Sequence, residues 1–192
     1  MKTAVLPLPR EPRIAFGIDP GFTGAIASLV AIPHEDGSWT IPHLLVDDAP
    51  ICQVQKRTQF VPMAMVGLLK SHTILAQNAF SFLRGTSPHQ PGPVIMHIER
   101  AGPRPGEGIS SAFRYGQGAG LWIGVLAAIG MPMQQVMPTV WKRHFNLLHQ
   151  PKEASRRLAT ERFPEHIERF RRVKDHGRAE AALLALFGAT TA

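Results

Sequence analysis

A chain of 192 residues is long enough for one domain with a substantial core. Hydrophobic residues make up 44% of it, which excludes a disordered chain, and no apolar run approaches the roughly 18 residues that a membrane span needs. A net charge of +7 points to a polyanionic partner, and a single cysteine, Cys52, excludes an intrachain disulfide or a cysteine-rich zinc site and suits a reducing compartment.

Met1 to Pro12 carries three prolines and reads as an extended lead-in, with one domain expected over 13–192. Arg13 to Ile18 is a short apolar strand that ends at Asp19-Pro20-Gly21, where the Pro-Gly pair forces a turn. Thr23 to Ile32 is a second strand, Asp36-Gly37 a hairpin turn, and Trp39 to Val46 a third strand, together an antiparallel meander. Asp47 to Thr58 reads as a linker. Phe60 to Leu83 places Val61, Met65, Leu68, Leu69, Leu75 and Phe80 at helical spacing. Gly85 to Pro93 is a proline-rich connection, and Val94 to Ile98 is a buried strand ending at Glu99. Ala101 to Gly108 is a loop. Ile109 to Ile129 is a helix rich in Gly and Ala, closed by Gly130. Met133 to Val136 is a fifth strand, followed by helices over Thr139 to Phe145, Lys152 to Phe163 and Arg178 to Phe187, the last capped by Gly188. A meander followed by alternating helices and strands predicts an α/β fold with a mixed five-stranded sheet, three strands antiparallel and the rest parallel, and helices on both faces.

Strands of interior character that end in carboxylates need a compensating partner, because desolvating a charge is costly. Asp19 closes the first strand and Glu99 the fourth, and the segment Lys174-Asp175-His176-Gly177-Arg178-Ala179-Glu180 opens the last helix. Neighbouring strands lie about 5 Å apart. If the first and fourth are adjacent and parallel, Asp19 and Glu99 converge at one sheet edge, and acids of the last helix complete a carboxylate nest. All-oxygen ligation suits Mg²⁺ or Mn²⁺, and two such ions serve phosphodiester hydrolysis. Between Lys142 and Arg178 eleven Lys or Arg stand against five acids, a basic face fitted to nucleic-acid phosphates.

The run Phe16-Gly17-Ile18-Asp19-Pro20-Gly21-Phe22-Thr23-Gly24-Ala25 resembles the first motif of the RuvC family of Holliday-junction resolvases. Ile98-Glu99 resembles the second acidic motif, continued by Ser110-Ser111-Ala112-Phe113 and Tyr115-Gly116-Gln117-Gly118-Ala119-Gly120. Pro138-Thr139-Val140-Trp141-Lys142, with Lys152, Arg156 and Arg157, is similar to the basic segment, and Asp175 to Ala185 to the terminal motif. The forms GRAEA and PTVWK resemble the phage and organellar branch.

The resemblance covers about Arg13 to Gly188. It implies a ribonuclease-H-like fold and a homodimer that nicks four-way DNA junctions with two Mg²⁺ or Mn²⁺ ions per site. Asp19, Glu99 and Glu180 then correspond to metal ligands and catalytic acids. The fourth position is Asp175, preferred as a carboxylate, with His176 as the alternative if the helix already includes it. The resemblance further implies DNA contacts from Arg100, Arg104, Arg114, Lys142, Lys152, Arg156 and Arg157, with Arg143 in the same basic set, and base stacking by Phe113 or Tyr115. It also assigns the Ile109–Ile129 helix to the dimer. A broader branched-DNA nuclease and an inactive junction-binding module on the same fold are the rival expectations. A cytoplasmic or nucleoid-associated location, in a bacterium or encoded by a phage, fits the absence of a secretion signal. No membrane partner is expected.

Overall fold

A computed structural model describes residues 11–87, 92–102, 106 and 108–191. A central five-stranded sheet is built from β1 (Arg13–Asp19), β2 (Ala25–Pro33), β3 (Trp39–Asp48), β6 (Val94–Glu99) and β7 (Gln134–Val136), in the spatial order β3-β2-β1-β6-β7. β1 and β2 pair antiparallel, as do β2 and β3, whereas β6 runs parallel to both β1 and β7. The expected mixed sheet, meander first and parallel strands after, is the one observed. The hairpin turn also stands: Gly37 adopts a positive φ of 81°, and the Asp36 carboxylate accepts from the Ser38 amide at 2.9 Å.

Alternation along the central strands sorts side chains into two cores. Ile14, Phe16, Ile18, Ile26, Val30, Met96 and Ile98 face α1 (Pro62–Arg84) and α2 (Ile109–Ala128), with Trp122 and Leu126 among their partners. Ala15, Ala25, Ala27, Leu29 and Val136 face the other layer, made of α3 (Pro138–His144), α4 (Glu153–Arg162) and α5 (His176–Thr191). The α5 layer sits very close to the sheet. A Cβ on Gly17 would collide with the Ala181 carbonyl oxygen and fall 2.5 Å from the Ala185 amide, so only glycine lets β1 lie directly on the helix backbone.

Three sequence expectations are corrected. The Asp47–Thr58 segment is not a plain linker but ends β3 and then forms a separate two-stranded ribbon, β4 (Ile51–Val54) and β5 (Arg57–Phe60). Its turn places Gln55 and Lys56 at φ 47° and 64°, a conformation usually signalled by Asn-Gly, so the residues carry no turn signature. Phe60 consequently belongs to β5 rather than to the following helix, where its ring stacks on Phe22 at 4.4 Å. The last helix is longer than its apolar pattern suggests, starting at His176 and running past Gly188 to Thr191. Gly188 is not a cap; a side chain there would strike His97, so it is glycine for contact. Two 3-10 turns, Pro164–Arg169 and Val173–Asp175, fill the stretch before α5.

The α1 layer is pinned by a buried polar relay. His72 Nδ1 lies 2.9 Å from Ser28 Oγ on β2, and its Nε2 lies 3.1 Å from Asp47 Oδ2 on β3. Burial pushes the His72 pKa down from its usual 6.5, and the Asp47 carboxylate only partly offsets this. Burial also lowers His43 and His97.

Two outcomes are expected. Gly17→Ala forces backbone apart on both sides and should lower unfolding stability by about 3 kcal/mol or more, read from the urea midpoint. The three histidines fold uncharged, whereas the unfolded chain takes up their protons near pH 6.5. Stability should therefore be full above about pH 6.5 and decline as pH falls below it, measured as the thermal unfolding midpoint across pH 7.5 to 5.

Candidate active site

Asp19 and Glu99 follow directly on the paired residues Ile18 and Ile98 of adjacent parallel strands. Ile18 and Ile98 both point into the α1–α2 core, so alternation turns Asp19 and Glu99 to the opposite face, beneath α5. Asp19 Oδ1 accepts the Gly21 amide at 3.3 Å, which curls the Pro20-Gly21 turn over the strand end. Glu99 is 2% exposed, and both its oxygens are engaged: Tyr115 donates its hydroxyl at 2.6 Å and Trp141 its indole N–H at 2.9 Å.

The N-terminus of α5 closes over this edge. A side chain at Gly177 would collide with the Thr23 carbonyl oxygen, so glycine lets the helix start in contact with the loop after β1. One turn apart on α5, His176 Nε2 and Glu180 Oε1 lie 3.4 Å from each other. Glu180 also receives Lys142 Nζ at 2.7 Å and Ser155 Oγ at 3.3 Å. Asp19, Tyr115, Lys142, Lys152, His176 and Glu180 line one open cleft of about 450 Å³.

The structure puts Asp175 elsewhere. It ends the 3-10 turn before α5, 1% exposed, and does not line the cleft. Its carboxylate accepts Arg172 Nη2 at 2.7 Å, Arg172 Nε at 3.0 Å and the Arg172 amide at 2.8 Å, with Arg178 Nη1 at 3.9 Å. Burial pushes the Asp175 carboxyl up, but the Arg172 hydrogen bonds and the nearby arginine charges outweigh it, and its pKa lies below the ordinary 3.8. The expectation that Asp175 joins the other acids is therefore corrected: it is spent on arginines, and His176, already inside the helix, takes its place at the cleft. Arg178 itself is held by Asp48 through a two-pronged pair at 2.6 and 2.7 Å, tying the end of β3 to α5.

The expected DNA-contacting residues divide. Arg114, Lys142 and Lys152 line the cleft, Phe113 is 72% exposed on α2, and Arg100 is exposed just beyond Glu99. Arg104 lies outside the described residues. Tyr115 also lines the cleft, with its hydroxyl on Glu99. Lys152 lines the cleft, and Arg156 and Arg157 do not. Lys152 precedes the first turn of α4 and reaches the cleft, whereas Arg156 donates to the Arg171 carbonyl at 3.2 Å and Arg157 lies 4.0 Å from Glu161. Arg143 is exposed and outside the cleft lining. Trp141 and Ser155 were not anticipated from sequence. The one available signal was the indole itself, since a buried Trp N–H needs an acceptor.

Among the described residues no group of three or more His, Cys, Asp or Glu stands placed to hold a metal ion. The residue types at this edge still suit a hard divalent cation: Asp19, His176 and Glu180 line one cleft, and Glu99 ends the strand beside β1. In addition, His176 Nδ1 is buried without a hydrogen-bond partner. Lys142 provides the counter-charge on Glu180.

No protein-family model matches the chain. Over 161 residues, 80% of its length, it is 30% identical to the chloroplast Holliday junction resolvase MOC1 of Chlamydomonas reinhardtii, and it spans only 18% of that protein. Its fold matches the structure of T. thermophilus RuvC in complex with a Holliday junction substrate, with a TM-score of 0.52 over 92% of this chain and 93% of that one, at 15% identity. The sheet order, the strand-end acids and this match define a ribonuclease-H-like α/β protein. Within that class the chain shares the RuvC fold and is similar in sequence to a Holliday junction resolvase. No helix among the described residues is long and apolar enough to cross a membrane.

Asp175→Asn tests the structural role. It removes a buried charge held by several hydrogen bonds and should cost about 1–3 kcal/mol of stability near neutral pH. Because the folded pKa is depressed, that contribution fades in the wild type as pH falls below about 3.8, so the two unfolding midpoints should converge in acid.

Proposed function

We propose that this protein is a structure-selective DNA endonuclease that resolves four-way junctions, with one nuclease domain over about residues 13–192. The observation that carries the reading is the placement of Asp19 and Glu99 one residue beyond paired positions of adjacent parallel strands, under the α5 turn that carries His176 and Glu180. Acids 2% and 6% exposed, as Glu99 and Glu180 are, need compensation, and the cleft that Glu180 lines is flanked by Arg114 and Lys152.

Asp19, Glu99, Glu180 and His176 would hold divalent metal, Mg²⁺ or Mn²⁺, as a two-ion site. When bound, the pair of ions supplies water activation and neutralises charge developing at the phosphodiester. The protein's own part is placement. Arg114 and Lys152 seat the phosphate backbone along the cleft, and exposed Phe113 is available to a splayed base. Lys142 balances the charge of Glu180. A two-fold junction calls for two such sites, and α2 offers a face for a second copy: Gly116, Gly120 and Gly124 have open space beside them, on a helix that also exposes Ile109.

The test separates binding from cutting. Asp19→Asn and Glu99→Gln should keep junction affinity in a gel-shift assay without divalent metal and lose about a hundredfold or more of junction cleavage in Mg²⁺ or Mn²⁺. His176→Ala should lose cleavage likewise, whereas Asp175→Asn at a temperature where it stays folded should retain it. Unchanged cutting by the Asp19 and Glu99 variants would overturn the mechanism. Equal cutting of junctions, flaps and linear duplex would replace junction selectivity with a broader branched-DNA activity.

A further inference from the structure

Glu99 is the most enclosed acid of the cleft edge, and its two oxygens are held by donors of very different character. Trp141 is fully buried. The chain reaches it from β7 through Met137-Pro138, and the first turn of α3 carries the indole under the end of β6, where Nε1–H meets Glu99 Oε2 at 2.9 Å. The indole is fully buried, so this contact has no solvent alternative. Tyr115 comes from α2 and lines the open cleft, half-buried, with its hydroxyl 2.6 Å from Oε1. A phenol at the cleft wall can exchange its carboxylate partner for water or for a phosphate oxygen.

We propose that Trp141 is the fixed positioning residue of Glu99 and Tyr115 its exchangeable one. Trp141 sets the rotation of the carboxylate from the core side. Tyr115 holds the other oxygen until a cation takes it. α3 thereby governs two acids from consecutive residues, Trp141 on Glu99 and Lys142 on Glu180, with the Lys142 ammonium 5.0 Å from the Trp141 ring centre.

The inference rests on the reading of Glu99 as a metal ligand, and the experiment keeps the two apart. Mn²⁺ binding to the full chain, without DNA, is measured by titration calorimetry for the wild type, Trp141→Phe and Tyr115→Phe. A Trp141→benzothienylalanine protein, which keeps the ring shape but lacks the N–H, guards against misfolding of Trp141→Phe, with thermal unfolding in chelator as the check on structure. Loss of the indole donor should weaken Mn²⁺ binding about ten- to a hundredfold, while Tyr115→Phe should leave it within about threefold or tighten it. Unchanged affinity in the benzothienylalanine protein, or an equal loss in Tyr115→Phe, would overturn the assignment. A wild type that binds no Mn²⁺ at millimolar concentration would remove the metal reading of Glu99 and this inference with it.

Discussion

The close approach of α5 to the strand end governs the rest of the molecule. β1 carries Asp19 at its tip, and α5 carries His176 and Glu180 in its first two turns. They share a cleft because the helix backbone lies against the strand at Gly17 and against the following loop at Gly177, where any side chain would hit a carbonyl oxygen. Packed interiors do not yield smoothly, so a methyl group in either place pushes a whole element outward. On the proposed reading, a displacement of an ångström would be enough to separate groups that act together.

The second constraint is charge. Glu99, Asp175 and Glu180 are all nearly buried, and each is compensated in its own way. Asp175 is saturated by arginine and serves the architecture, bracing the turn that delivers α5. Glu99 takes hydrogen bonds from the Tyr115 hydroxyl and the Trp141 indole. Glu180 meets one lysine from α3. A carboxylate locked to a guanidinium fork, as Asp175 is, is a poor competitor for a cation.

The strand-end acids and the order of elements were legible because both rest on local pattern. Alternating apolar residues end in Asp19 and Glu99, and the hairpin at Asp36-Gly37 has an explicit turn signature. The β4–β5 ribbon was not legible, since Gln55-Lys56 turns without glycine or asparagine. Nor could spacing alone choose between Asp175 and His176. That choice turned on where α5 begins and on Arg172, a residue whose partner is visible only once the 3-10 turn is formed. Arg156 and Arg157 looked like partners of Lys152 on one helix face, but Arg156 donates to the Arg171 carbonyl and Arg157 lies beside Glu161.

The amino-acid sequence by itself determined the α/β class, the meander, the acids at the strand ends and the basic character of the chain. Hydrophobic period, turn residues and net charge are local quantities that need no partner to be read. The tertiary structure alone decided that His176 rather than Asp175 lines the cleft with Asp19, what contacts Glu99, and which basic side chains reach the cleft. Those depend on contacts between residues far apart in the chain, such as Glu99 with Trp141 and Arg178 with Asp48, and on glycines whose purpose appears only when another backbone lies against them.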